Sequence, residues 1–193
     1  MIDFSAVISS ILSGMMNVWY IFPVVLLVIF FKSPFGKGLF GEMLVNVAIN
    51  SRLDKRKYHL FKNVTLPTQD GTTQIDHIIV SQYGIFVIET KNMRGWIFGN
   101  EHQKMWTQKI YKQTKKFQNP LHQNYKHTKT LETLLKLDSD KIFSIVTFVG
   151  ESTFKTDMPD NVTYAGGFID FINSKTKQLF SQQEVKNIRV KTT

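Results

Sequence analysis

The chain has 193 residues, 42% of them hydrophobic, which is enough for one compact domain plus a separate apolar segment and cramped for two full domains. Its 24 Lys and Arg outweigh 15 Asp and Glu to give a formal charge of +9, and since residues 4–31 carry no charged side chain the excess lies on the rest. Such a balance suits a phosphate-bearing partner, either nucleic acid or anionic lipid. The absence of cysteine excludes a disulfide framework, thiolate zinc sites and a cysteine nucleophile, and is compatible with a reducing compartment.

Phe4 to Phe31 is almost wholly apolar, and its more uniform part, Ile11 to Phe31, is long enough to cross a bilayer core of about 30 Å as a single transmembrane helix. A cleaved signal peptide fits less well, because no basic stretch precedes the run and no small-x-small pattern follows it. Lys32 and Lys37 follow the run and only Asp3 precedes it, so the positive-inside bias puts a single-pass protein in the cell membrane with its C-terminal domain in the cytoplasm. Pro23 kinks such a helix without forbidding it. The domain reading is an anchor over 1–32, a glycine-rich juxtamembrane linker over 33–40, and a folded domain over 41–193 whose motif-bearing core covers about 41–150.

Met43, Leu44, Val47 and Ala48 recur at helical spacing, which predicts a first helix from Glu42 to about Leu53. Tyr58 to Leu66 reads as an irregular strand, and Pro67 to Thr73, with Asp70-Gly71, as a loop. Gln74 to Ser81 and Gly84 to Lys91, separated by Gln82-Tyr83, form a predicted β-hairpin, with a further strand at Arg94 to Gly99. Asn119 as cap and Pro120 at the first helical position open a second helix to about Leu137, with Leu121, Tyr125, Thr128, Leu131, Leu134 and Leu135 as its apolar face. Lys141 to Val149 reads as a buried strand, Val162 to Ala165 as a short one, and Ser181-x-x-Glu184 as a capping box opening a last helix.

In Gly84 to Lys91 side chains alternate, so Ile85, Val87, Glu89 and Lys91 share one face and Phe86, Ile88 and Thr90 the other. Apolar residues on both faces describe a covered, central strand, where unpaired charge is costly. With a loop at Gln82-Tyr83, Asp76 faces Glu89; with one at Tyr83-Gly84, it faces Lys91; either register puts all three on one face. Two carboxylates and a backbone carbonyl, here that of Thr90, make a hard oxygen site suited to Mg²⁺ or Mn²⁺. A metal there polarises a phosphate while Lys91 positions water or offsets developing charge, which describes phosphodiester hydrolysis. Glu42 adds a further carboxylate if its helix packs across the sheet. The plainer alternative is a salt bridge between Glu89 and Lys91 with Asp76 as an edge charge.

Gly41-Glu42, Gln74 to Val80 with Asp76, Glu89-Thr90-Lys91-Asn92, and Asn119-Pro120-x-x-Gln123 resemble the successive motifs of the nuclease-related domain, which is similar to the restriction-endonuclease-like superfamily with its Asp…(Asp/Glu)-x-Lys signature. The resemblance implies an α/β fold with an αβββαβ core, a central mixed sheet flanked by helices. It also implies a divalent metal and a nucleic-acid substrate, most simply DNA, with Glu42, Asp76, Glu89 and Lys91 in catalytic positions and Gln123 near the site. One departure is Ile75 where the superfamily often has proline before the aspartate.

Lys104, Lys109, Lys112, Lys115, Lys116, Lys126 and Lys129, interleaved with Trp106, Tyr111, Phe117 and Tyr125, read either as a phosphate-tracking surface with stacking aromatics or as a solvated helix face over core aromatics. His77, His102, His122 and His127 lack zinc-like spacing, and His77 reads as strand packing. The two expectations for function are a membrane-anchored, metal-dependent nuclease, and a catalytically silent membrane tether that binds nucleic acid or a protein.

Overall fold

The computed structural model of the chain describes residues 4–68 and 71–192, which divide into two compact units, Met1–Phe40 and Gly41–Thr193.

The first unit holds α1 (Phe4–Asn17), α2 (Ile21–Lys32) and the start of α3 (Pro34–Arg52). The single helix expected over Ile11 to Phe31 is therefore two helices. In a continuous helix the Pro23 ring would meet the Trp19 carbonyl and supply no N–H. The chain instead turns at 18–20 with short-range bonds from Ile21 N–H to the Val18 carbonyl and from Phe22 N–H to that of Trp19. Among the described residues no single helix is long and apolar enough to cross a membrane; α2 and α3 together pass by length and composition but bend by 74° at the break. The expected linker is also helical: Pro34 takes the first helical position and Ser33 Oγ accepts the Gly36 N–H at 3.0 Å.

In the second unit, α3 is followed by β1 (His59–Thr68), β2 (Gly71–Ser81) and β3 (Gly84–Asn92). Strand pairing reaches Thr68 opposite Gly71, so the loop expected over Pro67 to Thr73 is largely strand; Asp70, expected in its turn, lies outside the described residues. Then come β4 (Gly95–Phe98), β5 (Met105–Ile110), β6 (Gln113–Gln118), α4 (Pro120–Leu135), β7 (Ile142–Val149), β8 (Ser152–Phe154), β9 (Val162–Tyr164), α5 (Gly167–Ser174) and α6 (Gln182–Thr192). The order α3-β1-β2-β3-α4-β7 is the expected αβββαβ core, with β4 to β6 set in before α4.

Among the described residues the main sheet runs β1-β2-β3-β7-β9, and a second sheet runs β6-β5-β4-β8. β3 pairs antiparallel with β2 and parallel with β7, so the main sheet is mixed and β3 is central. The parallel pair needs a long crossover, and β4 to α4 supply it. β3 buries Gly84 to Glu89 without interruption. On one face, Ile79, Phe86 and Ile88 pack with Val45 and Ile49 of α3 and Phe168 and Ile172 of α5. On the other, Ile78, Val80, Ile85 and Val87 pack with Leu131 and Leu135 of α4 and Val185 and Ile188 of α6. The helices thus flank the sheet, and each fully buried Ile, Val or Leu contributes about 1.5–3 kcal/mol.

Two helix faces differ from expectation. Helix α3 buries Val45 and Ile49, with Leu53 buried just past its end, and leaves Met43, Leu44 and Val47 exposed, a rotation set by where the sheet lies. Helix α4 buries Asn124 and His127 with Thr128 and Leu131, while Tyr125 and Leu134 face outward. Of the segment read as a helix face over core aromatics, the part over 105–118 is the β5-β6 hairpin, whose Trp106 is fully buried among Ile97, Val146 and Phe148, while Tyr125, Lys126 and Lys129 lie on α4. His77 is fully buried in β2, and burial, followed by the charge of Lys62, pushes it down to about 4.

Candidate active site

The β2-β3 hairpin closes with Ser81 opposite Gly84, so the turn is Gln82-Tyr83 and the register is the one that aligns Asp76 with Glu89. The ladder, however, stops at His77 and Ile88. Beyond it the Thr90 amide donates to Asp76 Oδ2 at 3.0 Å, so a side-chain carboxylate replaces the next backbone acceptor and the two strands part. The opening lies at the carboxyl ends of parallel strands β3 and β7, the usual ligand position in an open α/β sheet.

Glu89 and Lys91 project toward α4, as their alternation with Ile85 and Val87 requires. Lys91 Nζ donates to Glu89 Oε1 at 2.7 Å and to Gln123 Oε1 at 3.0 Å. Glu89 Oε2 is buried, with His127 Nε2 at 3.5 Å, beyond a normal hydrogen bond. Thr73 Oγ1 lies 3.0 Å from His127 Nδ1 and fixes the ring from behind. Helix α4 is held against the sheet by Asn124, whose Nδ2 reaches the Val87 carbonyl, Ser144 Oγ and the Ile145 carbonyl, each at 2.9 Å. Its start is held by Asn119, which accepts the Leu121 N–H and donates to the Gln103 carbonyl at 2.7 Å.

Glu42 arrives from the other side of the sheet. A Cβ on Gly41 would lie 2.9 Å from Asn92 Cβ and 3.0 Å from Val149 Cγ2, so only glycine lets α3 close on the ends of β3 and β7. That contact carries Glu42 into the field of the site: burial, then the Glu89 charge, raises its carboxyl. Asp76 is pushed up to about 6 by burial and by Glu89, with Glu42 adding to the rise and the Thr90 amide and Lys91 opposing it. Burial also pushes Glu89 upward, but His127 and Lys91 outweigh it and hold the carboxyl below its ordinary value. Glu89 is thus the fixed anion, and Asp76 and Glu42 carry the strain of sharing its neighbourhood.

Among the described residues no three His, Asp or Glu side chains gather into a ready metal cage. A Mg²⁺-type cation needs less, since it is held through one or two carboxylates and keeps its waters. Asp76 and Glu89 are hard oxygen donors, Glu89 Oε2 lacks a hydrogen bond, and burial together with the Glu89 charge raises Asp76, so these residues fit such an ion. The structure thus brings Asp76, Glu89, Lys91 and Gln123 together, with Glu42 in electrostatic reach. It adds His127, Thr73 and Asn124. No sequence signal pointed to these three, although His127 sits one turn beyond Gln123 on α4 and two such turns from Asn119.

The comparisons with known proteins agree with this arrangement. A model of the nuclease-related domain family matches residues 37–149, a span that contains Glu42, Asp76, Glu89, Lys91 and Gln123. An uncharacterized protein of Bacillus anthracis is 50% identical over 104 residues, covering 53% of this chain and 49% of that protein, about half of each. With more than half its length matched, the chain belongs to the nuclease-related domain family, a branch of the restriction-endonuclease-like superfamily.

Proposed function

We propose that this chain is a membrane-attached nuclease that hydrolyses phosphodiester bonds in DNA with Mg²⁺ or Mn²⁺. The observation that carries the reading is the placing of two carboxylates, Asp76 and Glu89, at the open end of β2 and β3 beside the Lys91 ammonium, which donates to Glu89. Asp76, Glu89 and the Thr90 carbonyl are assigned to the metal, with Glu42 as a further carboxylate. When bound, the cation supplies Lewis-acid polarisation of the phosphate and lowers the pKa of a coordinated water. Lys91 offsets the negative charge that builds on the phosphate oxygens, a preorganised role because Glu89 and Gln123 hold its Nζ in place. Lys91 in turn anchors Glu89, and Thr73 fixes the His127 ring beside it.

Attachment to the cell membrane, with the catalytic domain in the cytoplasm, rests on α2, which is apolar on all sides and exposes every residue. Carbonate-resistant sedimentation of the full chain with membranes is the expected behaviour, and release into the soluble fraction would remove this part of the proposal. For the chemistry, the full chain is incubated with plasmid and linear DNA plus Mg²⁺ or Mn²⁺. Asp76→Ala and Lys91→Ala should each lower the rate about 100-fold or more. Cleavage undiminished in both variants would assign it to a contaminant or to other residues.

A silent, nucleic-acid-binding tether is the second reading, favoured by the ion pair that already ties Glu89 to Lys91. It calls for salt-sensitive DNA binding with no cleavage under either metal.

A further inference from the structure

One face of the β4-β5 pair, outside the carboxylate cluster, carries an aromatic and cationic surface with no role in the fold's core. Trp96 is 47% exposed, in contrast to Trp106 on the neighbouring strand, which is fully buried. Lys155 Nζ lies 4.8 Å and Lys109 Nζ 5.8 Å from the Trp96 ring centroid, so two ammoniums sit over an indole that remains open to solvent. Beside it is a cleft of about 390 Å³ lined by Arg94, Trp96, Lys109, Tyr111 and Glu151, among others. That volume lies in the range of about 300–1,000 Å³ usual for small-ligand sites.

Tyr111 supplies a second, independent observation. It opens the two-residue turn between Ile110 and Gln113, at φ 51°, and is 94% exposed. A tight hairpin turn ordinarily has Asn, Asp or Gly at such a position, because a bulky side chain is strained there. The strain is kept and stabilises nothing in the core; its effect is to hold a phenol ring out in solvent at the mouth of the cleft. Gly95 makes the cleft possible: at φ 81°, with the Lys109 carbonyl 2.5 Å from where a Cβ would stand, it lets β4 start hard against β5.

Exposed aromatic rings, Tyr111 bare in solvent and Trp96 with flexible lysine ammoniums over it, match one ligand chemistry well. Unpaired nucleobases stack on the rings while Lys and Arg follow the phosphates, and a duplex, whose bases are already stacked, cannot use the rings. Chain connectivity places this surface near the carboxylates: Trp96 is five residues beyond Lys91, at most about 17 Å of extended backbone. We propose that the cleft beside Trp96 and Tyr111 is a subsite for unpaired nucleobases, so that the substrate is single-stranded DNA or a frayed strand end. Its placement as a substrate subsite rests on the nuclease reading; its affinity for single strands does not.

The test measures binding of a fluorescein-labelled oligodeoxythymidylate to the full chain in EDTA, where metal-dependent cleavage is silent. Trp96→Ala should weaken binding about 10-fold. Trp96→Phe should retain most of the affinity, and Tyr111→Ser, at a solvent-exposed turn, should weaken binding several-fold without lowering the melting temperature. Lys109→Ala with Lys155→Ala should reduce the salt dependence. Blunt duplex should bind independently of Trp96. The proposal is overturned if the Tyr111→Ser protein and a folded Trp96 variant bind the oligonucleotide as the wild type does, or if duplex shows the same Trp96 dependence. A protein that binds through Trp96 but never cleaves refutes the nuclease and keeps the subsite; a nuclease indifferent to Trp96 and Tyr111 does the reverse.

Discussion

Lys91 Nζ lies 2.7 Å from Glu89 Oε1 and 3.0 Å from Gln123 Oε1, so one ammonium ties the end of β3 to the first turn of α4. The Glu89 side chain is only 4% exposed, and its other oxygen has just the His127 ring at 3.5 Å. Deleting the lysine strands a buried carboxylate, which costs more than the ion pair itself contributes. Lys91→Met should therefore lower stability by about 1–3 kcal/mol in chemical denaturation without metal. Adding Glu89→Gln should restore part of the loss, because the two sites are coupled. Equal stability of wild type and Lys91→Met would mean that the pair is solvated and weak.

Asp76 links stability to pH in the direction opposite to an ordinary salt-bridged aspartate. Its carboxyl is raised from 3.8 to about 6 in the folded chain, so between those values the folded state holds a proton that the unfolded state has lost. The stabilising contribution is complete below the unfolded value and is lost as pH rises through about 6. Asp76→Asn keeps an oxygen for the Thr90 amide but carries no charge. It should be more stable than the wild type at pH 7.5, by up to about 3 kcal/mol, with the gap closing toward pH 4. Mg²⁺ or Mn²⁺ should narrow the gap at pH 7.5 by stabilising the wild type alone. Parallel pH profiles for the two proteins would remove Asp76 as the strained group.

How much of this was legible in the sequence depends on whether the signal was local. The Glu89 and Lys91 face followed from alternation along a central strand, and the Asn119-Pro120 start of α4 from cap chemistry. Ser33-Pro34 is an equally good helix start, but Gly36, Gly38 and Gly41 masked it, because glycine in a helix is read as a break. His127 and Asn124 escaped because periodicity counts apolar residues, whereas α4 turns two polar side chains inward to partners on distant strands. Thr73 is 54 residues from His127, and no spacing rule joins them. The hairpin of β5 and β6 was missed for a related reason: Gln113 to Lys116 is polar throughout and exposed, so it shows no period at all.

Asn124 is a structural hinge pin for the site. Its buried amide reaches three acceptors on β3 and β7, and it lies between Gln123 and His127 on the helix that presents both. Asn124→Ala should cost about 2–3 kcal/mol through acceptors left unpaired. Asn124→Asp should cost more, since it places a carboxylate against the same oxygens and would respond by taking up a proton. Urea denaturation of the two variants checks the order; Asp being the milder change would show that water enters and satisfies these groups.

Gly41 offers a test of how closely α3 must approach the sheet, with Gly38 as its control on the same helix. A methyl at Gly41 would press on Asn92 Cβ at 2.9 Å and Val149 Cγ2 at 3.0 Å, and neither is the free end of a flexible chain. Overpacking of this kind costs about 1–3 kcal/mol and moves the helix outward. A methyl at Gly38 meets nothing within 4 Å, so there the change only improves helix propensity, by roughly 0.5–1 kcal/mol. Gly41→Ala should thus melt earlier and Gly38→Ala slightly later than the wild type. Displacing α3 also carries Glu42 away from Glu89, so in Gly41→Ala alone the mutual repulsion should fall and the Asp76 titration should shift toward its ordinary value. Melting curves that move the same way for both glycines would mean that the helix, not its contact with β3 and β7, sets the requirement for a small residue.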